Sequence, residues 1–147
     1  MRRNIKFIVG IDEVGRGPLA GPVVLGFVKI SVSKHNNFVK EFKKMGLTDS
    51  KKLSDGQRRV IYSAGVERKR GGDFDFCVAR IYQDSIDKKG ISVCISKCIE
   101  KGLEKIGVDP KETVVYLDGA LRAPSKYIHQ QTIIKGDLKI PTISMAS

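Results

Sequence analysis

Cysteine is scarce in this chain, with only Cys77, Cys94 and Cys98. An odd number without metal-finger spacing argues against a disulfide framework and indicates no zinc site. Cys94 and Cys98 are four residues apart in a helical pattern, so they are expected to share a buried face as reduced thiols acting as small hydrophobes. Long hydrophobic runs are also missing. No apolar stretch approaches the ~20 residues of a membrane span. The short Ile5-to-Ile11 segment behind Met1-Arg2-Arg3-Asn4 is too brief and too polar for a signal peptide. No membrane association and a cytoplasmic location are the expectations. The Gly-x-x-x-x-Gly-Lys-Ser/Thr loop that cradles nucleoside triphosphates does not occur, nor do repeats, low-complexity tracts or linkers. His35 and His129 stand isolated, which suits a core or surface role better than catalysis.

Acid is in deficit. The chain has 16 Asp+Glu against 27 Lys+Arg, a formal net charge of +11. Such an excess favours a polyanionic partner, because each phosphate neutralised releases a counterion. The plainer alternative is a solvated basic surface. With 147 residues, 41% hydrophobic and 29% charged, the chain has the size and make-up of one globular domain with a real core.

What is present begins with strand patterns. Ile5, Phe7, Val9 and Ile11 alternate with Lys6, Ile8, Gly10 and Asp12, and the β-branched run from Val23 to Val32 reads as a central strand. Lys34 to Lys44, with Phe38 and Phe42 at helical spacing, reads as a short helix. Ser54 can cap a second over Asp55 to Lys69, with apolar Val60, Ile61 and Ala64. Asp73 to Tyr82 reads as a strand with Phe74, Phe76 and Val78 on one side. The longest helix is expected from Asp84-Ser85-Ile86-Asp87 to about Ile106, with Ile91, Ile95, Cys98, Gly102 and Ile106 in its period. Thr113 to Leu117 reads as a fourth strand and Gln131 to Ile134 as a fifth; Ile140 to Ala146 is apolar. Antiparallel strands followed by strand-helix-strand crossovers imply an α/β fold, a mixed sheet flanked by helices.

Asp12-Glu13 ends the first apolar run and is followed by Gly15-Arg16-Gly17-Pro18-Leu19-Ala20-Gly21-Pro22. Adjacent like charges repel, so such a pair at a strand end calls for a cation. The loop behind it offers an arginine and glycines that let backbone approach a ligand closely. Strand alternation points Asp12 and Glu13 to opposite sides unless the chain bends between them. Asp118 lies at the C-terminal end of another strand, the edge of an open α/β sheet where ligands bind. Acid for metal and a bare basic loop for phosphate suggest a metal-dependent enzyme acting on nucleic acid.

Ile11-Asp12-Glu13-Val14-Gly15-Arg16-Gly17-Pro18-Leu19-Ala20-Gly21-Pro22-Val23 resembles the signature of type 2 ribonuclease H, the ribonuclease HII family. Thr48-Asp49-Ser50-Lys51-Lys52-Leu53, Asp118-Gly119 and Ile134-Lys135-Gly136-Asp137 resemble that family's later motifs, in order and at similar spacing. The Gly-Arg-Gly form with Pro-Leu-Ala-Gly-Pro favours type 2 over the related type 3 enzymes. The resemblance implies a single ribonuclease H-like catalytic domain over residues 1–147. It would hydrolyse the RNA strand of RNA–DNA hybrids and cut at single ribonucleotides in duplex DNA, on the 5′ side, by two-metal catalysis with Mg2+ or Mn2+. It makes Asp12, Glu13 and Asp118 the catalytic metal ligands. Gly15, Arg16 and Gly17 would sense the ribose 2′-hydroxyl, although a tight turn needing glycine is compatible with the same residues. Ser50, Lys51, Lys52 and Lys135 would contact phosphates, the alternative being a solvated lysine surface; Asp137 gains no ligand role.

Similar proteins continue past Met145-Ala146-Ser147 into a helix with a further metal-binding aspartate. The expectation is therefore a monomeric chain lacking that helical part and hydrolysing hybrids poorly or not at all. The other reading is a catalytically incompetent fragment that only binds hybrid duplex.

Overall fold

The computed structural model describes residues 4–13, 23–44, 55–69, 72–82, 88, 90–119 and 121–133. The alternating first segment forms strand β1 (Phe7–Glu13), and the β-branched run forms β2 (Val23–Ser31). They pair antiparallel, with Phe7 opposite Ser31 and Glu13 opposite Leu25. Strand β3 (Phe74–Ile81) pairs antiparallel with β2, and β4 (Thr113–Asp118) pairs parallel with β1. Strand β5 (Gln130–Ile133) adds parallel to β4, closing the order β3-β2-β1-β4-β5. The mixed sheet flanked by helices expected from the sequence is the one that forms.

Strand periodicity sorts side chains onto two unlike faces. On one, Val9, Ile11, Leu25, Phe27, Ile81, Val115 and Leu117 pack against the long helix α3 (Ile91–Ile106) through Cys94, Cys98, Ile99, Leu103 and Ile106. Gly102 of α3 lies against the Phe27 ring, so closely that a Cβ there would fall within 3.0 Å of three ring atoms. Glycine lets this helix settle onto the sheet. The helix ends at Gly107, whose φ of 71° is left-handed and whose N–H donates to the Leu103 and Glu104 carbonyls.

The opposite face is thinner. Val28, Ile30 and Phe74 meet Phe42 of α1 (His35–Lys44) and Ala64 of α2 (Asp55–Lys69). Phe74 sits between Phe38 and Phe42, at ring-centroid distances of 5.4 and 5.5 Å. Val60 and Tyr62 of α2 remain 59% and 63% exposed.

Strand β3 ends the sheet at one side. Lys69 of α2 donates to the Phe76 carbonyl at 3.2 Å, and Lys105 of α3 to the Val78 carbonyl at 3.4 Å. These carbonyls lie two residues apart on β3, so they point the same way. Lysines from both faces thus occupy acceptors that an added strand would need.

Three expectations are corrected. Helix α3 begins at Ile91, after Gly90 at φ 85°, rather than running unbroken from Asp84, and residues 83–87 are outside the described set. Ile91 is 44% exposed instead of belonging to the buried stripe, since it lies in the first turn ahead of Cys94, the first side chain to reach the sheet. Val60 likewise faces out, because Ala64 is the contact that α2 makes with the aromatic cluster. The Ile140-to-Ala146 segment is outside the described residues. No helix among the described residues is long and apolar enough to cross a membrane.

Candidate active site

Asp12 and Asp118 meet because β1 and β4 run parallel and end together. Their register pairs Ile11 with Leu117, so the next residue on each strand is an aspartate. Hydrogen-bonded neighbours lie about 4.8 Å apart, and equal parity in a parallel pair puts both carboxylates on one face. That face is the thin one, since Asp12 pairs with Gly26 in line with Val28 and Ile30. Asp12 is only 7% exposed, and its Oδ1 accepts the Glu13 N–H at 2.8 Å, which orients the carboxylate.

Glu13 remains in strand register opposite Leu25, so no break in pairing brings its side chain round to join Asp12. Among the described residues no group of three or more His, Cys, Asp or Glu could hold a metal ion. The structure therefore sets Asp12 beside Asp118 and leaves Glu13 on the alternate side of β1. Gly15, Arg16, Gly17, Ser50, Lys51, Lys52 and Lys135 all lie outside the described residues. His129 is far from the pair: it precedes β5, at the level of Val115, and its Nε2 is buried with no hydrogen-bond partner among the described residues.

The chain turns sharply behind Asp118. Gly119 takes a φ of 63° and donates its N–H to the Ile133 carbonyl at 3.1 Å, and the Leu121 N–H returns to the Asp118 carbonyl at 3.3 Å. Leu121 is buried, Arg122 exposed and Ala123 buried. The Gln130 side chain ties this segment down: its Oε1 accepts the Ala123 N–H at 2.9 Å, and its Nε2 donates to the carbonyls of Ala123, Pro124 and Tyr127 at 3.1, 3.2 and 3.0 Å. Thr132 Oγ1 adds a bond to the Leu121 carbonyl at 2.8 Å. Neither Gln130 nor Arg122 is singled out by the sequence. The signal that finds Gln130 is the number of bonds converging on one amide side chain, on the α3 side of β5 at the level of Val115.

The family model for ribonuclease HII matches residues 9–147, nearly the whole chain. This chain belongs to the ribonuclease HII family. A ribonuclease HII of Burkholderia ambifaria is 34% identical over 145 residues, which is 99% of this chain and 60% of that protein. The chain thus spans about three fifths of the curated relative it matches. Among solved structures, ribonuclease H2 from Pyrococcus horikoshii superposes with a TM-score of 0.69 at 24% identity, covering 95% of this chain and 68% of that one. A type 3 ribonuclease H solved with Mn2+ superposes with a TM-score of 0.62 at 15% identity, covering 98% and 51% of the two chains. At these identities the structures speak for the fold, and the ribonuclease H-like architecture is shared.

Proposed function

We propose that this chain carries the acid pair of an endonuclease that hydrolyses the RNA strand of RNA–DNA hybrids and cuts at single ribonucleotides embedded in duplex DNA. The observation that carries the reading is the register of β1 and β4, which in a ribonuclease HII family member sets Asp12, the penultimate residue of β1, beside Asp118, the last residue of β4. Two neighbouring carboxylates form an all-oxygen donor set, which suits Mg2+ or Mn2+. Asp12 and Asp118 would hold the ion; Glu13, on the alternate side of β1, would join them only through a bend of the strand end towards the pair. Two ions, if bound, would supply an activated water and charge compensation at the leaving oxygen.

The chain's own residues set up the rest. The Glu13 N–H fixes one oxygen of Asp12, and the turn closed by the Leu121 N–H fixes the backbone of Asp118. Gly15, Arg16 and Gly17 would read the ribose 2′-hydroxyl, the group that distinguishes the two sugars. Ser50, Lys51, Lys52 and Lys135 would bind neighbouring phosphates and add affinity without sequence preference.

The test is cleavage of a duplex containing a single ribonucleotide, in Mg2+ and in Mn2+, beside a binding measurement on the same duplex. Products with 3′-hydroxyl and 5′-phosphate ends that disappear in both Asp12→Asn and Asp118→Asn establish the reading, with binding surviving in each variant. Tight hybrid binding without cleavage would reduce the function to a hybrid-binding domain. Absence of both would sink it.

A further inference from the structure

We infer that Arg80 is a substrate phosphate contact on the same face of the sheet as the acid pair, and that it sets the path of the duplex from the acids across β2 towards β3. The inference rests on the nuclease reading and adds to it a binding residue that no motif marks.

Arg80 is the last residue but one of β3, and it pairs with Val24 of β2. One row earlier, Val78 pairs with Gly26, and Gly26 pairs in turn with Asp12. Paired residues turn their side chains to the same side, and residues two apart on a strand do likewise, so Arg80 shares a face with Asp12. Asp118 joins them through the register of β4 on β1. Of the side chains that the five strands turn to this face, only Asp12, Asp118 and Arg80 carry charge. The other positions are apolar, glycine, Tyr116 or Gln131. All three charges lie in the last two rows before the carboxyl ends of β1, β3 and β4, the edge at which open α/β sheets receive ligands. Two strand spacings of about 4.8 Å and one two-residue step of about 6.6 Å separate the Arg80 and Asp12 Cα atoms by about 12 Å.

Arg80 is exposed, and it makes no ion pair or hydrogen bond among the described residues. The lysines that reach the same strand are engaged, Lys69 with the Phe76 carbonyl and Lys105 with the Val78 carbonyl. The backbone under Arg80 is firm, because Ala79 and Ile81 on either side pack into the cluster beneath α3. At about 12 Å, beyond the screening length of about 8 Å at physiological salt, the guanidinium does little to the acids themselves. What it can do is hold a second phosphate. Duplex carries one negative charge per about 1.7 Å of its axis, so a backbone seated on the acids presents another phosphate within reach of Arg80. Between the two points β2 offers only Val24 and Gly26, neither with a polar side chain to compete. Arginine suits the task because its planar fork can hold two phosphate oxygens at once.

The experiment measures binding of a ribonucleotide-containing duplex at a series of salt concentrations, without divalent metal so that no cleavage intervenes. Arg80→Gln keeps most of the side chain and removes its charge. It should weaken binding roughly fivefold, the upper end for an exposed charge pair, and lower the salt slope by about one. Arg80→Lys should keep the slope. Lys111→Ala removes an exposed lysine just ahead of β4, at the opposite end of the sheet, and should change neither quantity. Single neutral methylphosphonate linkages are then placed one at a time on either side of the ribonucleotide. At least one should weaken binding by the parent chain and add nothing in Arg80→Gln, an interdependence that a charge merely guarding the sheet edge would not produce. If the parent chain binds but Arg80→Gln leaves slope and affinity unchanged, or Lys111→Ala matches it, or no linkage shows the interdependence, the contact is refuted while the nuclease reading stands. If the parent chain fails to bind at all, both fall together.

Discussion

The two faces of the sheet differ in how they are covered. Among the described residues, fifteen buried side chains form one cluster under α3, whereas five form the cluster under α1 and α2. The first face is sealed tightly enough that a helix needs glycine to pass a phenylalanine ring. The second leaves Val60, Tyr62 and Val66 of α2 in contact with solvent. Asp12 and Asp118 lie on that second side. Under the proposed function, a sheet that holds two acids at its end and admits a duplex to them would place its packing behind the acids and keep the approach side shallow. Rigidity and access are divided between the faces.

The largest effect that would expose this division comes from two equivalent substitutions, one on each face. Gly102→Ala drives a Cβ into the ring of Phe27, which is itself 1% exposed and has nowhere to go. The gain in helix propensity offsets part of this, and a net loss of about 1–3 kcal/mol is expected, the range of overpacked cores. Gly65→Ala in α2 places its Cβ 3.5 Å from Phe74 and 3.6 Å from Phe76, ordinary contact distances. It should stabilise by about 0.5–1 kcal/mol through helix propensity alone. Urea midpoints of the two variants should move in opposite directions, and a shift in the same direction would show that the faces are packed alike.

That asymmetry marks where sequence reading succeeds. Periodicity places α2 over Asp55–Lys69 and β2 from Val23, because local propensity and burial agree there. It fails at Ile91 and Val60, where a helix extends past the sheet or rides over a thin layer, since period alone does not say how far the partner surface reaches. The strand-end position of Asp12 and Asp118 is legible from the apolar runs that precede them. Their adjacency is not, because it depends on β4 entering the sheet beside β1 in a register that non-local packing decides. Gln130 is invisible for the same reason: its four partners lie three to seven residues away along the chain and become a site only after the turn behind Asp118 closes.

The lysines at the β3 edge sharpen the comparison further, since each comes from a different face. Lys69 combines its carbonyl bond with an ion pair to Asp75 at 3.3 Å and a place 5.0 Å over the Phe76 ring. Lys105 makes only a longer carbonyl bond of 3.4 Å among the described contacts. Lys69→Met should therefore cost up to about 1 kcal/mol, with Lys105→Met close to neutral, as exposed polar contacts are worth little. Replacing both should release the edge carbonyls and promote concentration-dependent association in sedimentation velocity. If the double variant stays as monodisperse as the parent at every concentration, the lysines do not guard the edge.

The smallest effect concerns the thiols on the sealed face. Burial pushes the Cys98 thiol up to about 11, with Lys101 pulling weakly the other way, and burial also raises Cys77. A thiol whose folded pKa exceeds its unfolded value near 9.0 favours the folded state while it keeps its proton. Its contribution is complete below pH 9 and is lost as pH rises from 9 towards 11, because the unfolded chain releases that proton first. Cys98→Ala removes this dependence and introduces a cavity cost that does not vary with pH. The stability gap between parent and variant should therefore be widest near pH 8 and narrow steadily towards pH 11, when both are followed by urea unfolding. Lysine and tyrosine titration in the same range affects both proteins equally and cancels in the difference. A gap that stays constant across the range would mean that Cys98 ionises as freely in the fold as out of it, and that the α3 face is more open to water than its packing indicates.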